Sequence, residues 1–208
     1  MLMDYIIDAI KERRSIRKYS SRPVSIEILR EILEAARWAP SAHNAQPWRF
    51  IVLTDAASKA VLAEAMAEAW NADLARDGLA VTARATMTEA SKKRFANSPA
   101  LIVACLTMLN MRKYPDASRR KSERELAVQS MGAAIQNLLL AAHSKGLGAC
   151  WFSAPVFCKD AVRKVLEIPE DVEPQAIIAV GYPSENGSAP ARKPFKSIVY
   201  FSRWSKES

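Results

Sequence analysis

Apolar residues recur at helical spacing through the first third of the chain, interrupted by polar turns. Residues 5–12 read as a short helix that ends in the basic turn 13–18. Ser25 is placed to cap a second helix, whose stripe of Ile28, Leu29, Ile32, Leu33 and Ala36 stops before Pro40. Residues 49–53 form a short strand. Asp55 can cap a third helix running to about residue 74, with a break at Asp77-Gly78, and a more polar helix covers about 80–95. The run 101–106 is short and continuously apolar, the pattern of a strand covered on both faces.

Residues 123–145 carry the most informative pattern. Met131, Gly132, Ala133, Ala134, Ile135, Leu138, Leu139, Leu140, Ala141 and Ala142 put small or apolar groups on nearly every side of a helix. A helix apolar all round must be buried in the middle of something. In a chain of 208 residues, packing against a partner subunit is one way to bury it. Gly146 supplies the C-terminal cap. Residues 149–153 and 175–182 then read as strands, separated by a helix over 159–166. The segment 190–204 is extended and studded with aromatics, and too short for a core of its own, so it is expected to lie on another surface. No repeat or low-complexity linker divides the chain, so one domain over 1–208 is the simplest parse. Strands alternating with helices in a helix-heavy chain predict an α+β or three-layer arrangement around a central mixed sheet.

Composition narrows the class. Half the residues are hydrophobic and a quarter charged, the balance of a soluble globular protein. No apolar run is long enough to span a bilayer, and residues 1–18 lack the apolar region of a secretion signal, so no membrane partner and a cytoplasmic location are expected. Cys105, Cys150 and Cys158 form no CxxC pair and read as reduced, mostly buried thiols. His43 and His143 lie far apart, which argues against a zinc site. The formal charge of +8 is scattered apart from the run 112–124 and comes with no base-stacking motif. A solvated face that attracts anionic small molecules accounts for it without nucleic acid.

Several chemistries are missing from the sequence. There is no GxSxG nucleophile elbow, no GxxxxGK[ST] phosphate loop and no HExxH, and Gly146-Leu-Gly148 runs on to Trp151 where a dinucleotide fingerprint has glycine. Four weaker signals remain. Arg13, Arg14, Ser15 and Arg17 can surround a phosphate monoester, although a solvated basic turn has the same composition. The proline-bounded loop 40–48 bunches Ser41, His43, Asn44 and Gln46, whose amides can read the edge of a flat heterocycle or simply cap a turn. Gly148 lets backbone approach something flat, with Trp151 and Phe152 packed behind it and Ser153 after them. Arg192, in Arg192-Lys193-Pro194, is a last basic group or an exposed one.

The order of these segments is more specific than any one of them. The succession RRSIRKYS, APSAHNAQPWRF, GAAIQNLLLAAHSKGLGACWFS and GYPSE followed by ARKPF resembles the FMN-dependent nitroreductase family over about residues 4–200. The resemblance implies an α+β, three-layer fold with a mainly antiparallel sheet. It further implies an intertwined homodimer with FMN at the subunit interface and NAD(P)H as the electron donor to a small acceptor. It assigns Arg13, Arg14, Ser15 and Arg192 to the FMN phosphate, with Arg17 reaching toward the ring. Ser41, His43, Asn44 and Gln46 match the loop that crosses the flavin, and Gly148, Trp151, Phe152 and Ser153 the stretch beside it. No catalytic side chain is implied, since the flavin N5 carries the chemistry. Two positions depart from the family pattern: His43 stands where a small residue is common, and Ser153-Ala154 replaces a Glu-Gly pair. A narrower likeness, in WNADLARDGL, YPDA and GLGACWFS, is to the reductase domain fused to the glutamate ligase of deazaflavin-coenzyme biosynthesis. It marks Trp70 and Asp73 as substrate contacts and a dehydro-precursor of that coenzyme as an alternative acceptor. The rivals from other classes are a non-catalytic flavin-binding protein and a nucleic-acid partner using residues 112–124.

Overall fold

A computed structural model describes residues 2–204. The chain opens with α1 (Leu2–Glu12) and α2 (Ile26–Arg37), followed by a 3-10 turn at Ala42–Asn44 and β1 (Trp48–Leu53). The paired helices α3 (Ala56–Arg76) and α4 (Val81–Ala96) lead to β2 (Ala100–Thr107) and the long α5 (Ala117–Ser144). Then come β3 (Gly148–Phe152), a 3-10 turn at Ala154–Phe157, α6 (Lys159–Leu166), β4 (Val172–Gly181) and a last 3-10 turn at Phe195–Ser197.

α2, α3 and α5 start where a side chain satisfies a free N–H group. Ser25 Oγ accepts from Ile28 N at 3.3 Å, and Asp55 Oδ1 accepts from Ser58 N at 2.7 Å. α5 starts six residues before the position its apolar pattern suggests, because Asp116 Oδ1 accepts from Arg119 N at 2.9 Å. It ends as expected: Gly146 turns left-handed at φ 71°, while Gly146 N and Leu147 N donate to His143 O and Ala142 O.

The strands lie in the order β1-β2-β4-β3, and every neighbouring pair is antiparallel. Among the described residues the parallel contribution is a single bridge, Ser15 to Ala149. β2 is buried along its whole length because helices cover both faces of the sheet. On one face Ile102, Ala104, Leu106, Ile178 and Val180 pack with Leu29 and Ile32 of α2 and Ala134, Ile135 and Leu138 of α5. On the other, Leu101, Val103, Ile177 and Ala179 pack with Leu62 and Met66 of α3, Phe95 of α4 and Val162 of α6. The result is three layers, helix, sheet and helix. Within the single chain α5 is not enclosed on every side: Ala133, Leu140 and Ala141 are half-buried, and Leu126 and Val128 are exposed. No helix among the described residues is long and apolar enough to cross a membrane.

One ion cluster ties three of these elements together. Glu173 Oε2 of β4 accepts from Arg124 Nη2 of α5 at 2.7 Å, from Lys159 Nζ of α6 at 2.6 Å and from Gln175 Nε2 at 3.3 Å. The Arg124 hydrogen bond, followed by that of Lys159, holds the carboxyl at about 2 against an ordinary 4.5. Because the folded value is the lower one, this stabilisation is full above about pH 4.5 and is lost as pH falls through about 2. The linkage value of about 3 kcal/mol is cut to roughly 1–2 kcal/mol because these side chains still touch water. Urea unfolding at pH 7 should therefore show Glu173→Gln less stable by that amount, with the gap closing toward pH 2. An equal gap at both pH values would rule out the ionic origin.

Candidate active site

The basic turn sits where α1 ends and the chain joins the open edge of the sheet. Arg13 N donates to Ala9 O at 3.0 Å, closing the helix, and Ile16 N donates to Ala149 O at 3.1 Å, laying the turn along β3. Gly148 permits this approach, since a Cβ there would stand 2.7 Å from Ile16 Cβ. Tyr19 braces the turn from below: its hydroxyl lies 2.5 Å from Ile16 O and 3.0 Å from Ala179 O, and burial pushes its pKa upward. Glu185 braces it from outside, its Oε1 accepting from Arg17 N at 2.8 Å and Lys18 N at 3.1 Å. Those backbone bonds hold the Glu185 carboxyl below the usual range.

A crevice of about 340 Å³ opens beside this turn, lined by Glu12, Arg13, Arg14, His143, Gly148, Glu185 and Gly187 among others. Arg14 Nη1 is folded back onto Lys11 O at 2.5 Å and Arg13 O at 3.0 Å. Arg13 differs. Its Nε is shielded from water and has no hydrogen-bond partner among the described residues, an arrangement that native proteins rarely leave unexplained. Ser15 and Arg17 are exposed on the same turn. Arg192 is exposed on the segment that leaves the crevice after Gly187.

Beyond Gly148 the side chains of β3 alternate between the two faces. Trp151 lies over Gly132 of α5, where a Cβ would touch its ring at 3.9 Å. Phe152 points to the opposite face and meets Phe95 edge-on, with ring centroids 5.2 Å apart. Ser153 is exposed at the start of the following 3-10 turn. A second hollow, of about 440 Å³, brings Trp70 and Asp73 together with Phe152, Arg94, Phe157 and Cys158. Burial, and then the charge of Asp73, pushes the Cys158 thiol up to about 11.

The loop carrying Ser41, His43, Asn44 and Gln46 stands elsewhere. His43, Asn44 and Gln46 all have positive φ, at 58°, 51° and 46°. Three non-glycine residues in that region make a strained loop, which persists only when its surroundings over-determine it. Here they do. Gln46 N donates to Ser41 Oγ at 3.0 Å, Ala42 N donates to Ser130 Oγ at 3.1 Å, Gln46 Nε2 donates to Asn44 Oδ1 at 3.3 Å, and His43 Nε2 lies 3.2 Å from Glu123 Oε1. The loop enters β1, while the basic turn lines β3, the opposite edge of the sheet. Through the register, Ala149 is level with Ala100 and Trp48 with Leu106. Three strand spacings and six residues put the two regions about 14 Å apart across the sheet and about 20 Å along it. One chain does not bring them together around a small ligand.

Large apolar side chains lie uncovered. Tyr5, Ile6, Ile7 and Ile10 of α1 are exposed, as are Trp38 and Phe157. The segment expected to rest on another surface presents Phe195, Ile198, Phe201 and Trp204 to solvent, with Tyr200 and Trp204 stacked at 4.3 Å. Glu123, Tyr19, Glu185 and Gly187 were not singled out as site residues from the sequence. For Glu185 the signal was its place in GYPSE, the motif that follows β4.

Helices on both faces of a four-stranded antiparallel sheet, with a crevice of mixed charge along one edge, define an α+β protein of the three-layer kind. The chain belongs to the nitroreductase family, whose sequence profile matches residues 10–182. A Methanothermobacter thermautotrophicus protein, provisionally named NADH dehydrogenase/NAD(P)H nitroreductase, is 34% identical over 87% of this chain and 78% of its own length. An NADH dehydrogenase of Thermus thermophilus is 33% identical over 92% of this chain and 93% of its own. Among solved structures, a BluB-like flavoprotein from Clostridium difficile superposes with a TM-score of 0.79 at 25% identity, covering 95% of this chain and 99% of that one. A provisionally named nitroreductase of Desulfovibrio desulfuricans in complex with FMN gives 0.72 at 28% identity, covering 96% and 98%.

Proposed function

We propose that this chain is a homodimeric, single-domain oxidoreductase that binds one FMN per subunit and passes electrons from NAD(P)H to a small conjugated or aromatic acceptor. The observation that carries the reading is Arg13: it lines a crevice shared with Gly146, Gly148 and Gly187, and its Nε–H has no partner among the described residues, which suits a phosphate oxygen. Arg13, Arg14, Ser15 and Arg192 would hold the phosphate, and Arg17 the ring. Gly148, Trp151, Phe152 and Ser153 would lie beside the ring, and Ser41, His43, Asn44 and Gln46 would come from the partner subunit. The exposed apolar side chains of α1 and the segment after β4 supply the surface that a dimer would cover. FMN, when bound, supplies the two-electron chemistry, so the protein needs no nucleophile of its own. The hollow containing Trp70 and Asp73 is aromatic-walled and fits a planar acceptor. The proposed setting is the cytoplasm, where the donor is available.

The exposed basic run around the start of α5 favours an anionic acceptor, in keeping with the alternative of a deazaflavin-coenzyme precursor. The absorbance spectrum of the purified protein tests the central reading. A flavin spectrum, FMN in the acid extract and bleaching by NADH or NADPH under anaerobic conditions are expected. Colourless protein that does not take up added FMN would overturn the reading. Yellow protein inert to both donors would instead leave a flavin-binding protein without catalysis.

A further inference from the structure

We propose that His43, oriented by Glu123 of its own chain, delivers to the partner subunit's site the proton that the acceptor takes up with its electron pair; this rests on the dimeric oxidoreductase reading above. Glu123 is buried within α5, only 5% exposed, yet it lies next to a loop. Each of its oxygens has a defined neighbour: Oε1 is 3.2 Å from His43 Nε2, and Oε2 accepts from Arg112 N at 3.2 Å. In the proposed dyad Oε1 accepts as Oε2 does, which places on Nε2 the hydrogen that points at Oε1. The other ring nitrogen, Nδ1, is then the one that exchanges a proton. This is the division of labour of a carboxylate-oriented histidine, in which the buried acid fixes the tautomer and the imidazole moves the proton.

The backbone supports the assignment. His43 sits at φ 58° and ψ 14°, and flanking contacts hold it there: Ala42 N to Ser130 Oγ on one side and Ala45 N to Ala42 O on the other. Strain retained at a polar, partly exposed position is more often tied to function than to packing. The imidazole remains 28% exposed, so solvent can reload it. The balance is simple. The acceptor gains two electrons and one proton equivalent from NAD(P)H, and a second proton leaves imidazolium Nδ1. The ring that remains is neutral and protonated at Nε2, still bonded to Glu123, and water reprotonates Nδ1. Acceptor plus NAD(P)H plus one proton thus gives reduced acceptor plus NAD(P)+.

The chain has two histidines, His43 and His143, so its ring nitrogens can be read directly by 15N NMR of the full-length protein. Whenever the His43 ring is neutral its one hydrogen is expected on Nε2, and Glu123→Gln should abolish that single tautomer while Glu123→Asp restores part of it. His43→Gln should lower kcat per bound FMN on the order of a hundredfold with little change in acceptor KM, the loss typical of a missing general acid. A ring protonated at Nδ1, or one indifferent to Glu123→Gln, would overturn the dyad. Unchanged kcat in His43→Gln would overturn the donor role. Wild-type protein with the expected tautomer but without FMN or turnover would instead sink the oxidoreductase reading, and the donor role with it.

Discussion

Replacing Arg13 with alanine is expected to weaken FMN binding by roughly ten- to a hundredfold, while riboflavin binds parent and variant about equally. A charge-assisted contact to phosphate is worth about 1.5–3 kcal/mol, and each 1.4 kcal/mol is a factor of about ten. Arg13 is the strongest candidate on the turn because its Nε is buried without a partner, whereas Arg14 spends its guanidinium on the carbonyls at the end of α1. Riboflavin has no phosphate, so it controls for damage to the fold. Arg192→Ala should follow the Arg13 pattern. Arg17→Ala should not: its proposed partner is the ring, so riboflavin binding weakens too, and the flavin midpoint potential drops as the reduced anion loses a positive neighbour. Titration of each variant with both flavins, together with that potential, separates the roles. Equal loss of both flavins in Arg13→Ala, or an unchanged potential in Arg17→Ala, would remove the assignments.

What could be read from the sequence depended on whether the deciding interaction was local. Ser25 and Asp55 act within one helical turn, and both cap the helices they were expected to cap. The start of α5 was hidden because Arg119, Arg120 and Lys121 give its first turns no apolar stripe; the signal lay in Asp116 alone. β4 begins at Val172, earlier than its apolar run, because Pro174 sits opposite Cys105 where the register shifts between Ala104 and Cys105. At such an irregularity a missing N–H breaks no ladder bond, so a proline that argues against a strand is tolerated. The site shows the same limit. Arg13 and Gly148 stood out as residue types, but that Tyr19 and Glu185 would brace the turn between them depends on contacts spanning more than 150 positions. Glu123 had no signal at all: one acid among the charges at the start of a helix does not reveal that it is buried against His43.

Two variants that each fail alone should recover activity together, and this is the largest effect the proposed assembly implies. Arg13→Ala with Arg17→Ala removes the cations of the turn beside β3; Asn44→Ala with Gln46→Ala removes the amides of the loop before β1. Within one chain these regions lie on opposite edges of the sheet, about 24 Å apart on the diagonal, so they do not serve the same small ligand. In a two-fold dimer each site would take its turn from one subunit and its loop from the other. Each variant homodimer then carries two damaged sites. A mixed dimer carries one site with both lesions and one with neither. Random reassociation after mixing makes about half the dimers mixed, so roughly a quarter of wild-type activity should return at limiting FMN. Mass spectrometry of intact dimers gives the mixed fraction, and activity should rise in step with it as the mixing ratio is varied. If turn and loop serve a site within one subunit, every subunit of the mixture carries one lesion and nothing is recovered. Mixed dimers without activity would therefore reject the shared site, while leaving the turn's role at the phosphate to the flavin titrations.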